Sequence, residues 1–354
     1  MQNGSRDFSS ILVTGGAGFI GSNFIRYLYY TYPHARIVNL DLLTYAGNRE
    51  NLRDIDIIET PLAPEQRRSH FIQGDICNET TLEEVLSQQQ FDAIFHFAAE
   101  SHVDRSFFNK TQFSRTNIDG TRLLADAALK HNVSRFIHIS TDEVYGSIET
   151  GSTNEEYPFK PSNPYSTSKA GADLLVQGYM RTRNLPAVIV RGSNNYGPYQ
   201  YPEKLIPLSI TSMLQDRQVP VHGSGEHVRS WLHVHDFCRA IDTVARTAAD
   251  YSIYNVSGEE KTNMEILTAL ATYLKKDINT VKKHVSDRPG PDMRYSPDST
   301  RLTQELGWRR LLSFNETLGE VVHWYQTNEQ WWRDIQRKPW FIEQFERQSS
   351  GRWV

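Results

Sequence analysis

An α/β fold with a doubly wound parallel sheet is predicted by three features of the 354-residue sequence. Short runs of branched and aromatic residues, such as ILVTG, RIVNLD and RFIHIS, alternate with segments of helical periodicity. A glycine-rich turn follows the first run, and an acidic residue ends the second. Strands and helices that alternate in this way form a parallel sheet covered by helices. We therefore expect a Rossmann-type sheet with a smaller, mostly C-terminal lobe.

The predicted elements follow one another as a βαβ series. After ILVTG we expect a helix from Ser22 to about Tyr32, then RIVNLD, HFIQGD, a helix around TTLEEVLSQQ, AIFHFAA, a helix near NIDGTRLLADAALKH, RFIHIS, a helix from about Pro164 to Arg183, and AVIVRG. From about Gly197 loops, prolines and short helices dominate. We therefore divide the chain into residues 1–196 and 197–354.

This division is not expected to be strict. AVIVRG and WLHVHD are expected to belong to opposite lobes, so the chain should cross between them more than once. The aromatic segment VVHWYQTNEQWWRDI is predicted to be a helix docked on the body, and the final RQSSGRWV to be frayed.

Composition excludes several classes of partner. The chain is 38% hydrophobic with a formal net charge of −4, and it has neither a basic domain nor a long run of like charge. Nucleic acid and anionic membranes are therefore not expected as partners. The start, MQNGSRDFSS, has no apolar signal core, and no apolar run approaches the roughly 20 residues that span a bilayer. With only two cysteines, Cys77 and Cys238, we expect a cytoplasmic protein with reduced thiols.

The turn VTGGAGFIGS indicates a dinucleotide site. Gly15, Gly18 and Gly21 have a GxxGxxG spacing, which lets the backbone approach a pyrophosphate at the N-terminus of the next helix. Asp41 ends the second strand about 20 residues later, where a carboxylate accepts both ribose hydroxyls and repels a 2′-phosphate. No arginine follows in DLLTY, so NAD is favoured over NADP. Asp75 suits the adenine amine.

The segment NPYSTSKAG places Tyr165 and Lys169 four residues apart, on one face of a helix that Pro164 can begin. A cation about 4 Å from the phenol in a partly shielded site contributes about 4 kcal/mol, or roughly three pKa units. Tyr165 would then be a usable base, and Lys169 could also hold the nicotinamide ribose.

The segment STDEVYG places Asp142 and Glu143 at the carboxyl end of RFIHIS, where open α/β sheets bind ligands. Two interpretations fit the pair. Either both acids take part in catalysis, or one caps the next helix while the other is solvated.

Taken together, these motifs resemble those of the extended short-chain dehydrogenase/reductase family of nucleotide-sugar enzymes, and within it the dTDP-glucose 4,6-dehydratases. The resemblance covers nearly the whole chain and includes LDLLTYAGN, HFAAESHVDRS, TNIDGT, STDEVYG, NPYSTSKA, SNNYGPYQYPEKLIPL, VRSWLHVHD and DRPGPDMRY. It implies bound NAD, a substrate-binding C-terminal lobe, and a homodimer joined by two helices from each subunit.

The resemblance also implies the reaction, in which dTDP-glucose loses water to give a 4-keto-6-deoxy sugar nucleotide for deoxysugar biosynthesis. Tyr165, supported by Lys169, takes the C4 hydroxyl proton during hydride transfer. Thr141 bonds the C4 oxygen, Glu143 removes the C5 proton and Asp142 protonates the leaving C6 hydroxyl. Related epimerases and decarboxylases are not expected to carry both acids.

Further contacts are implied by the same resemblance. The cofactor is expected to meet Gly15, Gly18, Phe19, Ile20, Gly21, Asp41, Asp75, Ile76, Ala98, Tyr165 and Lys169. The sugar nucleotide is expected to meet Ser101, His102, Asn195, Glu203, Lys204, Leu205, His222, Arg229, Asn263, Arg288 and Tyr295, with Asp104 as a further candidate. Asn117 would support the catalytic strand, or be a plain turn or cap residue.

Three positions depart from the bacterial dTDP-glucose pattern: Gly192, His222 and Pro291. Gly192 and His222 resemble plant dehydratase domains that act on UDP-glucose, so UDP-glucose and UDP-GlcNAc remain alternative donors. A UDP-sugar 4-epimerase or decarboxylase, and a non-catalytic NAD-sensing protein, are further alternatives. His233 and His235 share a strand face, but no third ligand has suitable spacing, so no metal is expected.

Overall fold

The computed structural model describes residues 5–288 and 290–351. Its strands are β1 (Ser10–Thr14), β2 (Arg36–Asp41), β3 (Ser69–Gln73), β4 (Ala93–His96), β5 (Arg135–Thr141), β6 (Ala187–Gly192), β7 (Asn194–Tyr196), β8 (Val219–His222), β9 (Val228–His233), β10 (Ile253–Val256), β11 (Glu259–Thr262) and β12 (Lys282–Val285). The α-helices are α1 (Phe19–Thr31), α2 (Arg53–Glu59), α3 (Glu79–Ser87), α4 (Val103–Phe108), α5 (Lys110–Ser114), α6 (Thr121–Lys130), α7 (Pro164–Arg183), α8 (Leu205–Leu214), α9 (Val234–Thr247), α10 (Asn263–Tyr273), α11 (Ile278–Val281), α12 (Thr300–Leu306), α13 (Phe314–Thr327), α14 (Glu329–Gln336) and α15 (Pro339–Ser350).

The central element is a seven-stranded parallel sheet in the order β10-β6-β5-β4-β1-β2-β3. The chain runs outward from β1 to β3 and then returns to continue from β4 on the other side of β1. This order confirms the predicted Rossmann-type sheet. It also places a crevice between the carboxyl ends of β1 and β4, where such sheets bind ligands.

Alternation of apolar residues explains why both faces of this sheet are covered. Ile11 and Val13 point into a cluster with Phe24 of α1, whereas Leu12 points to the opposite face and packs with Leu124 of α6. Strand β5 is buried at all seven positions, as expected for a strand between two helical layers.

The later part of the chain builds a second core beside the carboxyl edge of the sheet. Strands β11, β9 and β7 form one small sheet, and β12 pairs with β8. Helices α8, α10 and α13 pack over them around Ile210, Leu270 and Leu318. After β9 the chain crosses back to the central sheet: α9 packs on α1, and β10 pairs with β6 at the edge of that sheet. The division at residue 196 therefore stays a prediction of where each region mainly lies.

The C-terminal part differs from the sequence-based expectation in two ways. The segment predicted as one helix forms α13 and α14, which are separated at Asn328. The tail predicted to be frayed is helical through Ser350, because α15 buries Phe341, Gln344 and Gln348 against the body. The last three residues of that predicted tail, 352–354, lie outside the described residues. Within the described ranges, no helix combines the length and apolarity needed to cross a membrane.

Candidate active site

Two adjoining cavities open at the carboxyl edge of the central sheet. The first has a volume of about 300 Å³ and extends from the glycine-rich turn after β1 to the end of β5. The second has a volume of about 170 Å³ and lies between the turn after β5 and the loops that follow β8 and β12. Glu143, Asn194, Glu203 and Lys204 line both, so a long ligand can occupy the two cavities together.

The glycine-rich turn is held close to neighbouring backbone. Gly15 has a φ of +73°, and a Cβ there would lie 2.5 Å from the backbone nitrogen of Ala98. A Cβ on Gly21 would lie 2.3 Å from the carbonyl oxygen of Gly15, so this glycine lets α1 approach the turn. Gly18 precedes α1, whose N-terminus has no side-chain cap. The amide groups there can bind an anion such as a pyrophosphate.

Asp41 closes the other side of this turn. Its carboxylate accepts hydrogen bonds from the amides of Ala17 at 2.9 Å and Leu43 at 2.7 Å, and it borders the first cavity. Each carboxylate oxygen has a second lone pair, so the group can also accept the two ribose hydroxyls. Asp75 borders the same end of the cavity and is paired with Arg115 at 2.7 Å. Phe19, Ile20, Ile76 and Ala98 complete the predicted lining.

The turn that carries Thr141, Asp142 and Glu143 lies where the two cavities meet. Thr141 ends β5, and its hydroxyl accepts from the Glu143 amide at 3.2 Å and donates to Asp142 Oδ1 at 3.3 Å. Asp142 Oδ2 is buried without a hydrogen-bond partner among the described residues. Both acids line the first cavity, so the interpretation in which one is simply solvated is not supported.

The two acids differ in their electrostatic surroundings. Burial, followed by repulsion from Glu143, raises the pKa of Asp142 to about 8. Burial also raises the pKa of Glu143; Arg229 opposes the increase at both acids, and Lys204 opposes it at Glu143. At neutral pH the site therefore holds a protonated Asp142 beside a group whose carboxylate form is stabilised by two cations.

Tyr165 and Lys169 lie on α7 and border the first cavity. Asn163 and Ser166 form a capping box that begins this helix, with Pro164 at its first position. The Lys169 ammonium donates to the carbonyl of Ile139 at 2.7 Å, and burial lowers its pKa to about 8.

The expectation that Lys169 lowers the pKa of Tyr165 is wrong for this arrangement. Burial, followed by the Glu143 carboxylate, raises the pKa of the Tyr165 phenol above its usual value. Hydrogen bonding to Thr141 opposes the increase without overcoming it. The spacing of the two residues could not indicate how strongly the phenol is buried.

The second cavity is lined by charged and polar groups suited to a nucleoside diphosphate. Arg229 lies over the Tyr295 ring, 4.3 Å from its centroid, and is held by the Asp292 carbonyl at 2.7 Å. Arg288 pairs with the buried Asp104 at 2.7 Å. The remaining predicted residues that line this cavity are His102, Asn263 and His222; Pro291, one of the positions that depart from the bacterial pattern, also lines it.

Two predicted residues lie elsewhere or have other contacts. Leu205 lines neither cavity and packs against the apolar cluster under α8, so its assignment as a substrate contact has no support. Asn117 lies behind the first cavity and donates to the Glu100 carbonyl at 3.0 Å and to Ser168 at 2.8 Å, which ties β4 to α7. Ser101 and Asn195 line the first cavity as expected.

Sequence reasoning missed several residues of these cavities. Gln348 of α15 lines the second cavity and donates to Asp104 at 3.1 Å. Phe237 of α9 lines the first cavity, and a Cβ on Gly192 would lie 2.4 Å from its ring. This contact gives a local reason for glycine at position 192. Glu100 is a further buried carboxyl in that lining. No short motif identifies these residues, because long-range packing brings them to the site.

Comparison with known proteins identifies the family of this chain. Residues 12–321 match the family model described as GDP-mannose 4,6 dehydratase. A dTDP-glucose 4,6-dehydratase of Streptomyces niveus is 46% identical over 330 residues, which cover 92% of this chain and 95% of the relative. The chain belongs to the dTDP-glucose 4,6-dehydratase family. The Escherichia coli dTDP-glucose 4,6-dehydratase is 39% identical over 355 residues, with 92% of this chain and 96% of that protein covered.

Solved structures agree with this membership. The crystal structure of a dTDP-glucose 4,6-dehydratase from Streptomyces venezuelae, with NAD and dTDP bound, has a TM-score of 0.87 and 45% identity, and covers 92% of this chain and 99% of that one. A UDP-glucose 4-epimerase from Thermotoga maritima has a TM-score of 0.81 at 28% identity, covering 90% of this chain and 99% of that one. The fold is thus shared with epimerases, whereas the higher identity belongs to the dTDP-glucose 4,6-dehydratase family.

Proposed function

We propose that this chain is an NAD-dependent dTDP-glucose 4,6-dehydratase, a hydro-lyase that yields the 4-keto-6-deoxy sugar nucleotide. The observation that carries the proposal is the contrast between Asp142 and Glu143 in one cavity. A dehydration across C5 and C6 needs one group that gives a proton and one that takes a proton. Family membership supports the same conclusion.

The residues around the glycine-rich turn fit NAD. Amides at the α1 N-terminus suit the pyrophosphate, the Asp41 carboxylate suits a ribose diol, and Asp75 suits the adenine amine. When bound, NAD accepts hydride from C4 and later returns it to C6, so that the net reaction is loss of water.

Tyr165 is assigned to the C4 hydroxyl proton. Its raised pKa means that the free phenolate is scarce at neutral pH, so proton removal by Tyr165 must be coupled to loss of the C4 hydride. Lys169 is assigned to the nicotinamide ribose, and Thr141 to a hydrogen bond with the C4 oxygen. The resulting ketone makes the C5 proton acidic.

Elimination then uses the adjacent acids. Glu143, whose carboxylate is favoured by Arg229 and Lys204, removes the C5 proton. Asp142, whose pKa of about 8 keeps it protonated at neutral pH, gives its proton to the departing C6 hydroxyl, which leaves as water. The same burial that raises the pKa of Asp142 keeps solvent from this proton.

The nucleoside diphosphate is assigned to the second cavity. Arg229, Arg288 and Lys204 supply positive charge there, and an arginine can bind phosphate oxygens in a bidentate manner. His222, whose pKa burial lowers to about 4, is neutral at pH 7 and is assigned to the base. Thymine differs from uracil by a methyl group worth about 1 kcal/mol in an apolar pocket, so UDP-glucose and UDP-GlcNAc are the alternative donors.

We also propose a cytoplasmic homodimer. Leu174 is 56% exposed on the outer face of α7, the helix whose inner face carries Tyr165 and Lys169. The family resemblance, which implies a homodimer joined by two helices from each subunit, carries this proposal, and Leu174 marks an exposed face of α7 on which it can be tested. Cys77 and Cys238 are free thiols, which suits a reducing compartment. Light scattering on the purified protein and on Leu174→Glu tests the dimer, and a monomeric parent protein would contradict it.

The function is tested by incubating the purified protein in parallel with dTDP-glucose, UDP-glucose, UDP-GlcNAc and a UDP-uronic acid, first without and then with added NAD⁺. Mass spectrometry should show loss of one water from dTDP-glucose. Water loss from a UDP-sugar alone would retain the dehydratase and overturn the donor. A product of unchanged mass would indicate an epimerase, loss of CO₂ from a UDP-uronic acid a decarboxylase, and no conversion of any donor a non-catalytic role.

A further inference from the structure

A buried hydrogen-bonded network lies behind the first cavity and connects β6, β10 and the turn after β5 with α7. Arg191 of β6 makes two hydrogen bonds to Asp173 of α7, both at 2.9 Å. It also donates to the Tyr145 hydroxyl at 2.7 Å, and this hydroxyl donates to Asn255 of β10 at 2.8 Å. Arg191 and Asp173 have side chains that are 1% and 0% exposed, so water does not weaken their attraction.

Each end of this hydrogen-bonded network is attached to a segment that carries catalytic groups. Tyr145 ends the short turn Asp142–Tyr145, and its ring packs edge-on against Phe159. Asp173 lies one helical turn beyond Lys169 on α7. Arg191 precedes Gly192, which pairs with Thr141 across the sheet. None of these three linked side chains borders either cavity.

We propose that Tyr145, Arg191 and Asp173 are positioning residues, which hold the Thr141–Glu143 turn against α7 and place a fixed negative charge one helical turn from Lys169. The inference rests on the proposed function for its catalytic part. Its electrostatic part concerns Lys169 alone and does not require turnover.

The energetic argument starts from the cost of burial. An ion pair as buried as Arg191 and Asp173 contributes little net stability, because desolvation offsets most of the attraction, and an apolar pair of similar size could replace it. The Arg191 guanidinium, however, hydrogen-bonds Asp173, the Tyr145 hydroxyl and the Glu155 carbonyl at the same time. These bonds require all three partners to be held in fixed positions. Such a network specifies one arrangement of the turn and the helix more strongly than it stabilises the fold.

The electrostatic argument concerns the surroundings of Lys169. His96 of β4 and His138 of β5 face it from the sheet, and both are neutral because burial lowers their pKa. Tyr165 is its neighbour on α7 and is uncharged at neutral pH. Asp173 is the anion that opposes the effect of burial on Lys169, whose pKa is about 8. Loss of this carboxylate should lower the pKa of Lys169 further, so that a much larger share of Lys169 is neutral at pH 7.

The test compares Asp173→Asn, Tyr145→Phe and the double variant Asp173→Asn/Arg191→Met, in which no buried charge is left alone. The control is Asp126→Asn, which removes a carboxylate bonded to Tyr179 of α7 at 2.9 Å and far along that helix from Lys169. Lysine ¹³Cε shifts are followed by NMR against pH in protein without donor, with Lys169 assigned from Lys169→Arg.

Asp173→Asn and the double variant should lower the pKa of Lys169 by about one unit, whereas Tyr145→Phe and the control should not. Tyr145→Phe should instead reduce kcat about tenfold to a hundredfold through misplacement of the turn, with the KM for the donor nearly unchanged.

An unchanged Lys169 titration in both Asp173 variants would overturn the electrostatic part, and parent-like kcat in Tyr145→Phe would overturn the positioning part. A parent protein that converts no donor would instead refute the proposed function, and the lysine titration would still decide the role of Asp173.

Discussion

Asp142 and Glu143 are adjacent in the chain, yet their carboxyl groups lie in different environments. One oxygen of Asp142 is buried with no hydrogen-bond partner in the part of the chain that the structure describes, whereas Glu143 borders both cavities and is influenced by Arg229 and Lys204. Neighbouring acids with different surroundings can divide the roles of acid and base between them. The predictions below follow from this division and from the parts of the site that support it.

The pH dependence of kcat should be bell-shaped. Activity should rise with pH as Glu143 loses its proton, and it should fall near pH 8, where Asp142 loses the proton it must donate and Lys169 loses its charge. Asp142, whose pKa is raised, and Lys169, whose pKa is lowered, both titrate near pH 8. The fall in activity at high pH therefore reflects the two groups together. Steady-state rates between pH 5 and 10 check this, and full activity at pH 10 would contradict it.

Glu143→Gln should permit slow oxidation at C4 but block removal of the C5 proton. We expect kcat to fall by about a hundredfold or more, the usual effect of losing a general base. Reduced cofactor should accumulate and be visible by its absorbance at about 340 nm in a single turnover. Normal turnover of this variant would refute the role assigned to Glu143.

Asp142→Asn should impair water loss while C5 exchange is partly retained, because Glu143 still removes the C5 proton. In D₂O the recovered donor should carry deuterium at C5, measured by NMR, while product forms slowly. A variant that eliminates water at the parent rate but cannot exchange this proton would show that the roles are assigned wrongly.

Gln348→Leu should raise the KM for the donor about tenfold, the effect expected for loss of a hydrogen bond to a charged group. Gln348 donates to Asp104, which in turn holds Arg288 in the second cavity. The matched control is Gln330→Leu on the exposed face of α14, where the glutamine bonds only Asp334 among the described residues. Equal KM values for both variants would contradict a role of α15 in donor binding.

Gly15→Ala should abolish binding of NAD, because its Cβ would lie 2.5 Å from the Ala98 nitrogen and the φ of +73° disfavours alanine. Gly307→Ala is the control, since its φ is +69° and a Cβ there meets no atom within 4 Å. Both variants carry similar backbone strain of about 1 kcal/mol. Bound NAD, measured by calorimetry, should disappear only in the first.

The sequence allowed most of the central sheet to be predicted, because its strands are short apolar runs separated by clear helical segments. Site residues that belong to short motifs, such as Asp41 and Tyr165, could also be predicted to line the first cavity. It did not predict the break at Asn328 or the order of the tail, because the burial of α15 depends on distant partners. It also misjudged the pKa of Tyr165, since spacing shows which groups are near but not how much water reaches them.

The position of β10 limits how this protein can be dissected. The strand lies far along the chain, at Ile253–Val256, yet it covers the edge of the central sheet at β6. A fragment that ends at residue 196 would leave β6 with unpaired backbone groups, and exposed strand edges of this kind promote aggregation. Expression of residues 1–196 alone should therefore give insoluble material, whereas a fragment that includes β10 would keep β6 paired as in the full chain.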